Sequence, residues 1–170
     1  MRARLVSWGG TSRPFTRDSR RLPGAGRRGI AAAPTNVFET PSHWFLESER
    51  LRDAGRLSEE DARRLRWLDA FGALIGNTDR HQYNILFFAE GSRLRLAPAF
   101  DQIPMLYAPT ADGQLPPRVF AAPNMTADTL DVWDDARRAA QRFWALGSDD
   151  ARVSDEMRLL CAGNARLLAQ

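Results

Sequence analysis

Three side chains in this sequence have the types and the spacing that phosphoryl transfer needs: Asp79, Asn84 five positions on, and Asp101 after a further seventeen. Moving a phosphoryl group asks a protein mainly for positioning and for neutralising charge. One carboxylate orients the attacking hydroxyl or takes its proton. An amide oxygen and a second carboxylate are enough protein ligands for Mg2+, which prefers hard oxygens and completes its shell with ATP phosphates and water. Asp79 therefore reads as the catalytic residue, and Asn84 and Asp101 as the metal ligands. An Asp and an Asn five residues apart recur by chance, and Asp-rich loops are often plain turns. Arg80-His81 beside the first pair and Phe100 before Asp101 give the set its weight.

The same five-residue step separates aspartate from asparagine in the protein-kinase catalytic loop, and the order of base, first ligand and second ligand is the same. The flanking elements place these residues. Ser42 is an expected N-cap for a helix over 43–54 with Trp44, Phe45 and Leu51 on its apolar face, and Gly55 ends it. Ser58 caps a longer helix, with Asp61 completing a capping box; Ala62, Leu65, Leu68, Phe71 and Ile75 recur at helical spacing up to Gly76. That helix delivers the chain into Asn77–Asn84. Residues 85–89 and 94–97 form an expected hairpin around Glu90–Arg93, and Asp101 follows it. An irregular stretch over 102–126, rich in proline, tucks in Ile103, Met105, Leu106 and Tyr107. Two helices close the chain, one over 128–146 stopping at Gly147, the other starting from a Ser154 cap. The fold class is mainly α with a small β-hairpin.

Composition bounds the rest. With 170 residues and 44% hydrophobic content, one domain with a real core is expected. No apolar run is long enough to cross a bilayer. All 24 Lys+Arg residues are arginine. Residues 1–38 hold eight of them against Asp18 alone, a net of +7, whereas the remainder has sixteen against twenty acids, a net of −4. The basicity thus belongs to the leading segment, and direct nucleic-acid binding by the folded part is not expected. Residues 1–41 read as a poorly ordered leader and 42–170 as the folded domain. Its glycines and prolines also oppose an organelle-targeting helix, and no secretory signal is visible. One cysteine, Cys161, excludes an intrachain disulfide and suits a reducing compartment, so the cytoplasm is the expected location. Cys161 reads as a small core residue and the tryptophans as helix packing. His81 is expected to orient the loop by hydrogen bonding beside Asp79. Arg80 is open between pairing with a phosphate and holding a carboxylate.

Thr78-Asp79-Arg80-His81-Gln82-Tyr83-Asn84, followed by Leu96-Ala97-Pro98-Ala99-Phe100-Asp101-Gln102-Ile103-Pro104-Met105, resembles the C-terminal lobe of the HipA-like serine/threonine kinases of bacterial toxin-antitoxin systems. The likeness runs from about Trp44 to Leu168, and Phe143-Trp144 and Asn164 sit in helices similar to those closing that lobe. Phosphatidylinositol kinases have a similar first loop but an Asp-Phe-Gly where this chain has Asp101-Gln102-Ile103. The resemblance implies Asp79 as catalytic aspartate, Asn84 and Asp101 as Mg2+ ligands, and His81, Gln82, Tyr83 and Asn84 with Phe100-Asp101 as the near wall of an ATP site. It implies a protein Ser/Thr substrate, with a HipB-like antitoxin or a separately encoded N-terminal lobe as partner. The family's phosphate-pairing lysine and covering loop have no counterpart here, and Gly24–Gly29 lacks the flanking strand of a phosphate loop. Weak or absent turnover of the chain alone is the consequence. A non-catalytic module that engages such a partner is the alternative.

Overall fold

The computed structural model describes residues 33–37, 43–114 and 117–170. Most of the expected leader, and Ser42, lie outside them. In chain order the elements are α1 (Trp44–Asp53), α2 (Glu59–Leu74), a 3-10 turn (Gln82–Asn84), β1 (Phe87–Glu90), β2 (Arg93–Leu96), a 3-10 turn (Met105–Tyr107), a third (Ala127–Thr129), α3 (Trp133–Asp149) and α4 (Asp155–Leu167). The fold is mainly α with one antiparallel hairpin, as the periodicity predicts.

Helix α2 organises it. One side packs Ala62 and Leu65 with Trp44 and Leu51 of α1 and Ile85, Phe87 and Leu94 around the hairpin. The other packs Ala70, Leu74 and Ile75 against Ala136, Ala140 and Trp144 of α3 and Cys161 of α4. The chain leaves α2 through Ile75 and Gly76, whose φ of 70° is a left-handed conformation natural to glycine. The loop carrying Asp79 therefore starts between two rigid cores. Trp144, fully buried, donates its indole N–H to the Leu74 carbonyl at 3.1 Å and so satisfies an orphan acceptor in the last turn of α2.

Several local expectations are met, and others are revised by tertiary demands. Ser58 Oγ accepts from the Asp61 amide at 3.1 Å, but the Asp61 carboxylate does not close a capping box. It is buried and accepts from the Leu96 amide at 3.1 Å, tying α2 to the hairpin edge. The N-cap position of α1 is His43, without a side-chain cap bond. Ile103, expected to be tucked in, is exposed. Residues 33–37 lie in the stretch expected to be a leader, yet Thr35 and Phe87 exchange both backbone hydrogen bonds at 2.8 Å. This short pairing covers the free edge of β1.

Gly147 does not stop α3, which runs through it to Asp149. A Cβ there would lie 2.9 Å from the buried Cys161 Sγ, so the glycine permits close packing of α3 on α4. Gly147→Ala is expected to cost about 1–2 kcal/mol despite alanine's higher helix propensity. In a Cys161→Ala background the same change should become neutral or stabilising, since the clashing sulfur is gone. Thermal or urea unfolding of the four-member cycle measures this coupling.

Candidate functional site

The loop after α2 is held by Asn77, which is almost fully buried. Its amide N–H bonds the Gly72 carbonyl at 2.9 Å, its Oδ1 accepts from the Asp79 amide at 3.1 Å, and its Nδ2 donates to the Asp101 carbonyl at 3.3 Å. One side chain thus spans both halves of the site. Arg80 folds back along α2 to pair with Asp69 at 3.1 Å and to donate to the Asn77 carbonyl. A Cβ on Gly72 would sit 2.5 Å from Arg80 Cδ, so only glycine leaves room for that path. Of the two roles open to Arg80, the structure gives it the carboxylate-holding one.

Asn84 and Asp101 come together. Asn84 is buried at the end of the 3-10 turn, and its Nδ2 donates both to Asp101 Oδ2 at 3.2 Å and to the Asp79 carbonyl at 3.1 Å. Asp79 joins this contact through its main chain. Its exposed carboxylate lies 3.8 Å from His81 Nε2, too long for a hydrogen bond. His81 is oriented through its carbonyl instead, which accepts from the buried Trp44 indole at 3.1 Å, and its ring meets Tyr83 edge-on at 6.0 Å. Gln82 is half-buried, while Tyr83 and Phe100 are exposed on the same loops.

Asp101 has φ of 56°, the only left-handed non-glycine residue among those described. Aspartate tolerates this region better than most residues, but the conformation still costs free energy and persists only where the surroundings impose it. They do so on both sides. The Asp101 carbonyl is held by Asn77, and downstream the Leu106 amide bonds the Gly76 carbonyl at 2.8 Å while the Tyr107 hydroxyl accepts from Asn164 at 2.9 Å.

The contact itself is made by the Asn84 N–H, which is no cation ligand; the hard oxygens these neighbours could offer Mg2+ are the Asn84 amide oxygen and the Asp101 carboxylate. Among the described residues no group of three His, Cys, Asp or Glu side chains is placed to hold a metal ion. Such a pair suits a cation that takes its other ligands from phosphates and water, and does not suit an all-protein cage.

Asn36 was not legible as part of this site. Its Nδ2 donates to the Gln82 carbonyl and, at 3.2 Å, to the Ile85 carbonyl, bracketing the turn that carries Asn84. Nothing in its sequence context announces this, because the contact spans more than forty residues. Asn36→Ala is expected to speed amide hydrogen exchange at Asn84 and Ile85 by about tenfold, corresponding to about 1.4 kcal/mol of lost local stability. Site-resolved exchange by NMR checks it; unchanged rates would show that the turn holds itself.

A family model described as the HipA-like C-terminal domain matches residues 29–163. The chain belongs to that family. It is also similar to Toxin YjjJ of Escherichia coli (strain K12), with 27% identity over 129 residues, covering 76% of this chain and 29% of that protein. The chain thus spans less than a third of that relative's length. No solved structure matches significantly. The HipA-like match begins upstream of Thr35 and Asn36, in agreement with their packing on β1 and the 3-10 turn.

Proposed function

We propose that this HipA-like domain is the C-terminal catalytic lobe of a serine/threonine protein kinase of the toxin-antitoxin type, which transfers the γ-phosphoryl of ATP to a hydroxyl on a protein substrate. The observation that carries the reading is the 3.2 Å contact between Asn84 and Asp101, residues brought together across the hairpin. Asn84 and Asp101 would hold Mg2+, which when bound neutralises phosphate charge. Asp79, exposed beside them, orients the substrate hydroxyl or accepts its proton. Its main-chain tie to Asn84 keeps it in register with that pair. His81 to Asn84 and Phe100-Asp101 form the near wall for the nucleotide, with exposed Tyr83 and Phe100 offering apolar surface. The similarity to a protein named as a toxin supports the toxin-antitoxin setting.

The chain contains no lysine, and kinases use one to pair the phosphates. Turnover by the chain alone should be weak, with nucleotide binding retained. Calorimetric titration with ATP tests this: binding at least about tenfold tighter with Mg2+ than with EDTA is expected. Absence of Mg2+-dependent binding would sink the kinase reading. The lysine-free composition and the exposed Tyr83, Phe100 and Ile103 then favour a second reading, a non-catalytic module that presents this face to an antitoxin-like protein or a separate N-terminal lobe. Complex formation on co-expression without nucleotide binding would support it.

A further inference from the structure

We infer that Asn77 is a positioning residue for the metal-binding carboxylate: its buried side chain latches the main chain of Asp101 to that of Asp79 and so sets where the Asp101 carboxylate points. The role rests on the kinase reading of this site and extends it to a fourth residue. The backbone of Asn77 is clamped to α2 from both sides. Its N–H bonds the Gly72 carbonyl at 2.9 Å, and its carbonyl accepts from Arg80, itself paired with Asp69. With the backbone fixed, the side chain is a short arm whose two atoms do different things. Oδ1 accepts from the Asp79 amide two residues on at 3.1 Å, a local Asx turn. Nδ2 reaches across 24 residues of sequence to the Asp101 carbonyl at 3.3 Å. Asn77 is only 1% exposed, so water does not replace either bond if it is lost.

Two asparagines grip Asp101, in different ways. Asn84 donates to the carboxylate, at Oδ2. A cation needs an oxygen rather than an N–H against that carboxylate, so this contact is of the kind a cation displaces. Asn77 donates to the main-chain carbonyl and leaves both carboxylate oxygens free, so its hold persists when a cation is bound. It is also the one hydrogen bond that the described residues make to the main chain of Asp101, the residue with φ of 56°. A strained conformation of this kind relaxes when its restraint is removed. Relaxation toward negative φ turns the Cα–Cβ bond relative to the flanking chain and carries the carboxylate out of its place beside Asn84. The cost falls on metal binding, because a ligand oxygen displaced by about 1 Å is largely lost to the site.

The test is calorimetric titration of ATP into the full chain, in Mg2+ and in EDTA, for the parent, Asn77→Ser and Asn77→Ala. A serine hydroxyl still accepts from the Asp79 amide in the turn but is too short to reach the Asp101 carbonyl, so Asn77→Ser removes the long arm alone. In both variants the ratio of affinity in Mg2+ to that in EDTA should fall from at least about tenfold to below about twofold, with the affinity in EDTA unchanged. Without nucleotide, the intraresidue HN–Hα cross-peak of Asp101 in NMR spectra, strong at positive φ, should weaken in both. Exchange of the Asp79 amide should speed up in Asn77→Ala only. Gly147→Ala, destabilised within α3 by its contact with Cys161, should melt lower yet keep the ratio. A parental ratio near one removes the kinase reading and this role together. A Mg2+-dependent parent whose Asn77→Ser variant keeps the ratio, or whose Gly147→Ala variant loses it, overturns the positioning role and leaves the kinase reading standing.

Discussion

Replacing Asp101 by asparagine is expected to weaken Mg2+-dependent ATP binding by about a hundredfold, roughly 2.7 kcal/mol, while leaving the fold intact. Asparagine has the same shape and tolerates the left-handed conformation at φ 56° equally well, so the exchange isolates the charge. The neighbouring amide of Asn84 remains, but two amides neutralise no cation charge. Asp101→Gly sharpens the test. Glycine adopts this φ without strain, so stability should be unchanged or rise by a few tenths of a kcal/mol, whereas binding is lost as in the asparagine variant. Opposite signs for stability and binding are the signature of a residue held in strain for its chemistry. Calorimetry and urea unfolding on the same preparations measure both. If Asp101→Asn binds Mg2+-ATP as well as the parent, this carboxylate is not a ligand.

The second large effect is structural. Arg66 is buried on α2 and donates to Glu49 of α1 at 2.8 Å, and to Glu59 and Asp131 at 3.0 Å each. Burial opposes its charge, but the hydrogen bonds it donates to Asp131 and Glu59 more than offset that and hold the guanidinium's pKa above its ordinary value. One cation therefore ties α1, the start of α2 and the segment before α3 into a unit. Removing it leaves three carboxylates crowded together, with only the more exposed Arg52 and Arg63 beside them. Arg66→Met fills the volume with an apolar chain but leaves that repulsion, and is expected to cost about 3 kcal/mol, at the low end for a broken buried pair because Glu59 and Asp131 are largely exposed. For a domain of this size that is roughly a 10 °C fall in Tm. Adding Glu49→Gln and Asp131→Asn should recover part of it, by removing two of the three crowded charges. A loss below about 1 kcal/mol for Arg66→Met would reduce the cluster to ordinary surface pairs.

Local pattern was enough for much of this protein. Apolar spacing in 62–75, Ser58 and Ser154 as caps, and the Gly91 turn follow from interactions within a few residues, and all are present in the fold. The five-residue step from Asp79 to Asn84 was likewise visible, because it lies within one loop. What could not be read were the bonds joining segments far apart in sequence. Asn36 brackets the turn before β1 from more than forty residues upstream, and the Trp44 indole holds the His81 carbonyl from thirty-seven residues away. Gly147 looked like a stop because glycine weakens helices, yet it is kept inside α3 by the space Cys161 requires. Asp61 looked like part of a cap, but the hairpin's Leu96 amide had the stronger claim on its carboxylate. Asn84 and Asp101 were each nameable in advance, but the sequence carries no term for the distance between them. Side-chain type and period are local quantities. Which buried donor meets which acceptor is set only when helices and hairpin pack, since every polar group they bury must then find its partner.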